Sequence, residues 1–279
     1  DMPENIAQQL HDMLNRHGFG FQYSVLRQID DLFEKRETDW IFEAAEYPVG
    51  RGENATHLDF VLKRPNGRMF LVAECKRVNP AISDWCFAKA PYVRRNKTEG
   101  SMLFEELTQD FVTGSIRADV ASFGSASEYD IALEIRNHKP GQKGDAIGSA
   151  RGDLGKAITQ VCRGLNGLVD HFDSNPQLLP EGPRVHIIPA IFTSATIWTT
   201  DVDLGSVDLS TGTIGINDLN VERQSWIWFR YHQSRNVKHS AEQEIGSWEL
   251  HDALDPLFAR SIAVVNYAGI QDFLRRTAW

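Results

Sequence analysis

Between Thr56 and Val78 the chain runs THLDFVLKRPNGRMFLVAECKRV, two apolar segments set about a central Asn-Gly. Alternation at period two marks strands. An Asn-Gly pair between them marks a two-residue hairpin turn, which needs positive φ at both central positions. With the turn at Asn66-Gly67, Pro65 lies opposite Arg68 and, counting outward, Asp59 lies opposite Glu74. Leu58, Phe60 and Leu62 then share one face with Met69, Leu71, Ala73 and Cys75. Asp59, Val61 and Lys63 share the other with Phe70, Val72, Glu74 and Lys76. A type I turn with a bulge at Gly67 is the competing reading, and it slips the register by one, placing Asp59 and Glu74 on opposite faces. The match of the apolar faces favours the first version, or a second bulge that restores it.

The same patterning predicts a helix over Phe21–Arg36, a strand over Trp40–Val49, and a helix from Gly155 to His171 with Ile158, Val161, Leu165 and Leu168 at helical spacing. Arg184–Thr193 reads as a buried strand. Ser127–His138 reads as a strand in which Ile131, Leu133 and Ile135 alternate against Ala132, Glu134 and Arg136. Asn79–Ala126 reads as an insertion with a short helix near Leu103–Phe111. Asn137–Gly152 is a Gly- and Lys-rich loop beside the helix start at Asp153, read either as a phosphate contact or, with more weight, as a flexible connection. Towards the C-terminus, Ser225–His232 and Ser261–Tyr267 read as strands and Ile270–Arg276 as a closing helix.

Charge changes the picture at one place. Asp59, Glu74 and Lys76 stand in otherwise apolar strands, where an unpaired ionised group is costly. Facing side chains of an antiparallel pair have Cβ atoms roughly 4.5–5.5 Å apart, and two carboxylates at that separation repel unless a cation lies between them. Hard oxygen ligands of this kind suit Mg²⁺ or Mn²⁺. The backbone carbonyl of Cys75 adds an oxygen, while its thiol points to the apolar face. A bound divalent ion lowers the pKa of its water, and Lys76 would orient that water or stabilise charge in the transition state. The bland alternative is a structural cross-strand ion-pair cluster.

Asp59, fourteen intervening residues, then Glu74-Cys75-Lys76 resembles the PD-(D/E)XK nuclease superfamily, with Leu58 where the motif name has proline. The resemblance implies an α/β fold, a central mixed β-sheet flanked by helices, of the restriction-endonuclease-like kind. It implies one elaborated domain over 1–279: a core of about 19–78 and 127–195, an insertion of about 79–126 after the E-x-K strand, and a C-terminal extension of about 199–279. It assigns metal binding to Asp59 and Glu74 and water activation to Lys76. The family usually adds an acid on the helix before the first core strand. Gln22 holds that place by position, and Glu43 or Glu46 fit by chemistry; Glu34 and Glu37 lie further along. Gln160 resembles a polar helical residue that some members place beside the metal.

The implied activity is Mg²⁺- or Mn²⁺-dependent cleavage of DNA by an endonuclease, with a homodimer or partner subunit for cutting both strands. The alternative is a catalytically degenerate module that binds nucleic acid or a protein, and an RNA-processing enzyme is a weaker third. The net charge of −9 opposes nucleic acid at long range. A local basic surface of Arg77, Lys89, Arg94, Arg95 and Lys97 would have to serve. Trp85, Phe87 and Tyr92 are interleaved there, read first as packing and second as base-stacking groups. Three widely spaced cysteines give neither a disulfide framework nor a zinc pattern, which makes a reducing cytoplasm the expectation. No apolar run approaches the roughly 20 residues of a membrane span. Asp201-Val202-Asp203 reads as a turn.

Overall fold

A computed structural model describes residues 4–16, 18–50, 56–78, 84–89, 102–109, 115–123, 128–135, 145–146, 152–179, 184–202, 207–232 and 259–277. Helices α1 (Glu4–Arg16) and α2 (Phe19–Glu34) come first. Strands β1 (Ile41–Val49), β2 (Thr56–Lys63) and β3 (Met69–Lys76) follow as an antiparallel meander. Next come β4 (Asp84–Ala88), β5 (Met102–Gln109), β6 (Ile116–Phe123), β7 (Glu128–Tyr129), β8 (Ile131–Ile135) and β9 (Asp145–Ala146). The long helix α3 (Asp153–Ser174) leads into β10 (Val185–Thr193), β11 (Thr196–Val202), β12 (Leu219–Gln224), β13 (Trp226–His232), β14 (Ala259–Asn266) and α4 (Ile270–Arg276).

The fold is α/β, with a large mixed sheet flanked by helices. Its main path runs β1-β2-β3-β10-β14-β13-β7. Strand β10 is central and buried along nearly its whole length, as expected of a strand covered on both faces. One of its edges pairs in parallel with β3. The other is divided: Val185–Ile187 take β5 antiparallel, and Ala190–Thr193 take β14 in parallel. A buried ion pair, Arg260 Nε to Glu105 Oε1 at 3.0 Å, ties those two neighbours together. The smaller sheet runs β12-β11-β4-β8-β9.

Two apolar layers cover the large sheet. Leu154, Ile158, Val161, Leu165 and Leu168 of α3 pack with Val61, Phe70, Val72, Ile187 and Ile191. Val25, Ile29 and Leu32 of α2, with Ile270, Phe273 and Leu274 of α4, pack with Phe60, Leu62, Leu71, Ile188 and Phe192. The odd and even positions of β3 and β10 divide between the layers, as strand alternation requires.

Three expectations change. Leu103–Phe111 forms no helix over its described residues; it is strand β5, paired with β6 along Met102–Gln109. Its acids find cross-strand partners: Glu105 takes Arg260, and Glu106 takes His186 at 2.8 Å and Arg184 at 3.6 Å. In β8 the expected facing is inverted. Ile131 and Ile135 are exposed, whereas Ala132 and Glu134 are buried. The reason is the Glu134 carboxylate, which accepts the backbone N–H of Leu154 and caps α3. A Cβ on Gly152 would enter the same carboxylate. Finally, Asp201 and Val202 end strand β11 rather than forming a turn, with Asp201 3.7 Å from Lys89.

The segments on either side of α3 are woven into the sheets. Strand β4 pairs with β11 and β8, and β14 lies directly beside β10.

Candidate functional site

The β2–β3 hairpin keeps the predicted register through a different turn. Lys63 pairs with Phe70 and Phe60 with Ala73. Gly67 N–H donates to Arg64 O at 2.8 Å, and Arg64 N–H donates to Met69 O at 2.9 Å. Gly67 has φ +65°, but Asn66 is not among the left-handed residues, which excludes a type I′ turn centred on the pair. Pro65 instead starts the turn, where its fixed φ suits position i+1. The Asn66 side chain accepts Arg68 N–H at 3.0 Å. The loop is longer by two residues than expected, so Asp59 still falls in register with Glu74.

At that row the β2–β3 ladder gives way to a side chain. Asp59 Oδ2 accepts the backbone N–H of Cys75 at 2.6 Å. On the other side of β2, Ala45 pairs with Phe60 and Tyr47 with Leu58, which places Glu46 beside Asp59. Glu46, Asp59 and Glu74 therefore form one row across three strands, and Glu74 pairs on with Ile191 of β10.

Both outer strands rotate at this row. Ala45 and Phe60 pack in the α2 layer, yet Tyr47 and Leu58, two residues along each strand, pack in the α3 layer. Leu58 thus does not share the face of Phe60, as simple alternation predicts. Glu46 makes the rotation with φ +49°, a conformation a non-glycine residue adopts at an expense of order 1–3 kcal/mol and mostly at functional positions. Nothing in the sequence signals it, because Gly or Asn is the usual occupant of such a position.

Gln22 enters from the first turns of α2, which starts after Gly18 in left-handed conformation. It is 5% exposed, and its Nε2 donates to Glu46 Oε1 at 2.8 Å and to Asp59 O at 3.0 Å. Lys76 closes the group. Its backbone carbonyl accepts from Thr193 Oγ1 at 3.0 Å and Ser194 N at 3.2 Å, fixing the end of β3 against the end of β10.

The electrostatics follow from this packing. Burial is the main cause that raises Asp59 to about 6; Glu46 adds to it, and the Cys75 N–H and Lys76 oppose it. Burial, then the charge of Asp59, raises Glu74 to about 9, with Lys76 opposing. The charge on Asp59 opposes ionisation of Glu74. Cys75 is held well above the usual thiol range by burial, so its sulfur is no nucleophile.

The structure thus gathers Gln22, Glu46, Asp59, Glu74 and Lys76. Glu43 is left out: it sits at a register shift in β1 and pairs with Lys63 at 2.5 Å. Glu37 pairs with Arg275 beyond the far end of α2. Gln160 is exposed on α3, whereas Ala157 and Ile158 are buried against the sheet. Arg77 is exposed beside Lys76, while Arg94, Arg95, Lys97 and Tyr92 lie outside the described residues. Trp85 and Phe87 are fully buried, so they pack rather than stack on a ligand.

Among the described residues, no three His, Cys, Asp or Glu side chains close into a ready metal cage. The row offers oxygen donors only, with the half-buried Lys76 beside them. That donor set fits Mg²⁺ or Mn²⁺, which takes one or two carboxylates and completes its shell with water and phosphate. No helix of the described residues is long and apolar enough to cross a membrane. Comparisons with protein-family models, curated proteins and solved structures found no match.

Proposed function

We propose that this protein is a divalent-metal-dependent endonuclease that hydrolyses DNA phosphodiester bonds, built on a restriction-endonuclease-like core. The observation that carries the reading is the row of Asp59 and Glu74 on paired strands, both acids raised in pKa, with Lys76 acting on each. The D-x14-E-x-K spacing supports the same assignment, and DNA is the substrate class that the resemblance implies.

Asp59, Glu74 and the Cys75 carbonyl would hold Mg²⁺ or Mn²⁺. When bound, the ion acidifies a water molecule and neutralises phosphate charge. Asp59 is oriented for this by the Cys75 N–H, which fixes Oδ2. Lys76 Nζ orients the attacking water by hydrogen bonding and stabilises negative charge on the phosphoryl oxygens. Glu46 supplies the third carboxylate of the row, in preference to Glu43. The three free cysteines suit a reducing cytoplasm.

A second reading, a nuclease-like module that binds without cutting, draws on Gln22, a neutral amide in the helix position where the family usually has an acid. Cleavage of supercoiled plasmid and of single-stranded DNA with Mg²⁺ or Mn²⁺ separates the two. Metal-dependent nicking that falls at least about 100-fold in Lys76→Ala is expected. Metal binding with no cleavage by the parent would favour the binding module.

A further inference from the structure

The amide of Gln22 has one feature that helix packing alone does not demand. Its nitrogen faces two acceptors at once, the Glu46 carboxylate and the Asp59 carbonyl, so its donor identity is fixed by its surroundings. Both acceptors belong to the row, and they sit on different strands. Glu46 is also the residue held in left-handed conformation, while its side chain is otherwise exposed. A solvent-exposed carboxylate on a strained backbone stays in one place only if something holds it, and the buried Gln22 amide is what holds it.

The charge count bears on what the row accepts. Glu46, Asp59 and Glu74 with Lys76 sum to a formal −2, from three carboxylates and one ammonium. One divalent cation neutralises that sum. A carboxylate at position 22 would face the Glu46 oxygen at hydrogen-bond distance and raise the negative charge, inviting a second cation or a proton. An amide there donates instead, adds no charge, and holds one oxygen of Glu46 in place.

We infer that Gln22 is a positioning residue: its amide pins the Glu46 carboxylate beside Asp59, so that the charge of Glu46 stands next to the Asp59–Glu74 pair that would take a divalent ion. The inference rests on the metal-site reading above and deepens it. Gln22 itself touches neither ion nor substrate; it acts through Glu46.

The test is a titration of the full chain with Mn²⁺ alone, followed by calorimetry and by the loss of the free-ion paramagnetic signal. It compares the parent with Gln22→Ala, Glu46→Ala, the double variant and Asp59→Ala. Thermal melts without metal check that each variant folds. One ion per parent chain is expected, and Gln22→Ala should weaken its binding at least about 10-fold, the usual effect of removing a group that orients a ligand. Because Gln22 acts through Glu46, the double variant should bind no more weakly than Glu46→Ala alone. Parent-like Mn²⁺ affinity in a folded Gln22→Ala overturns the positioning role and leaves the metal site standing. Additive losses in the double variant overturn it as well, and two equivalent ions on the parent overturn the single-ion stoichiometry. Absence of Mn²⁺ binding by the parent, equal to Asp59→Ala, overturns the metal-site reading and this inference with it.

Discussion

Asp59 Oδ2 accepts the Cys75 backbone N–H at 2.6 Å, so a side chain of β2 completes the hydrogen bonding of β3 where the ladder between the strands ends. The same carboxylate is thereby asked to do two things, to hold the hairpin and to hold charge. The two roles separate by substitution. Asp59→Asn keeps an oxygen that can accept from Cys75 and removes the partly buried charge. Asp59→Ala leaves the N–H without that acceptor, at a loss of about 1–3 kcal/mol. Chemical denaturation at pH 8 without metal should therefore rank Asp59→Asn at or above the parent and Asp59→Ala below it. Both should fail to cleave DNA. An Asp59→Asn variant that still nicks plasmid would remove Asp59 from the proposed metal ligands.

The raised acids make stability depend on pH in a stated direction. Asp59 moves from its usual 3.8 to about 6 and Glu74 from 4.5 to about 9. Between those values the folded chain binds more protons than the unfolded one, so stability falls as pH rises. Their contribution is complete below about pH 4 and lost progressively up to about pH 9, Glu74 accounting for the alkaline part. Melting temperature measured from pH 5 to pH 10 in chelator should fall more steeply in the parent than in Glu74→Gln. Mn²⁺ should restore more at pH 8.5 than at pH 6, because binding displaces protons from its ligands. Identical pH slopes in parent and Glu74→Gln would mean that Glu74 does not carry this charge.

Much of this was legible in the sequence, and the exceptions share a cause. The hairpin, helix α3, strand β10 and helix α4 follow from apolar periodicity, which reports local geometry and burial together. Asp59, Glu74 and Lys76 stood out because ionised groups in apolar strands are rare. Strand β5 has a helix-like spacing, with Leu103, Leu107 and Phe111 four apart, while the Arg260 that makes Glu105 tolerable in a strand lies 155 residues away. The facing of β8 departs from its alternation for the same reason. Glu134 turns inward to reach the N–H of Leu154, 20 residues further on. At the site, chemistry narrowed the third acid to Glu43 or Glu46 but could not choose. The choice depends on a register shift at Glu43 and a left-handed Glu46, and neither has a local signature.

Helix α3 approaches the strands closely enough that two of its glycines have work to do. A Cβ on Gly167 would stand 2.7 Å from Val49 Cβ and 2.9 Å from the backbone nitrogen of Gly50. In an exposed helix, Gly→Ala stabilises by about 1 kcal/mol. Here Val49 and the backbone of Gly50, just past β1, block the methyl group, and overpacking of this kind costs about 1–3 kcal/mol. Gly167→Ala should therefore destabilise the fold in urea, against helix propensity. At Gly164 the obstacle is the end of the Leu58 side chain, which can turn away, so Gly164→Ala should cost less stability than Gly167→Ala. Leu58 is fully buried and adjoins Asp59, however, so its displacement is passed to the row. Gly164→Ala should consequently lose more Mn²⁺ affinity per unit of stability than Gly167→Ala, read by titrating both variants under conditions where each is folded. If both substitutions raise the urea midpoint, α3 does not sit as close to β1 and β2 as the packing around Val49 and Leu58 requires.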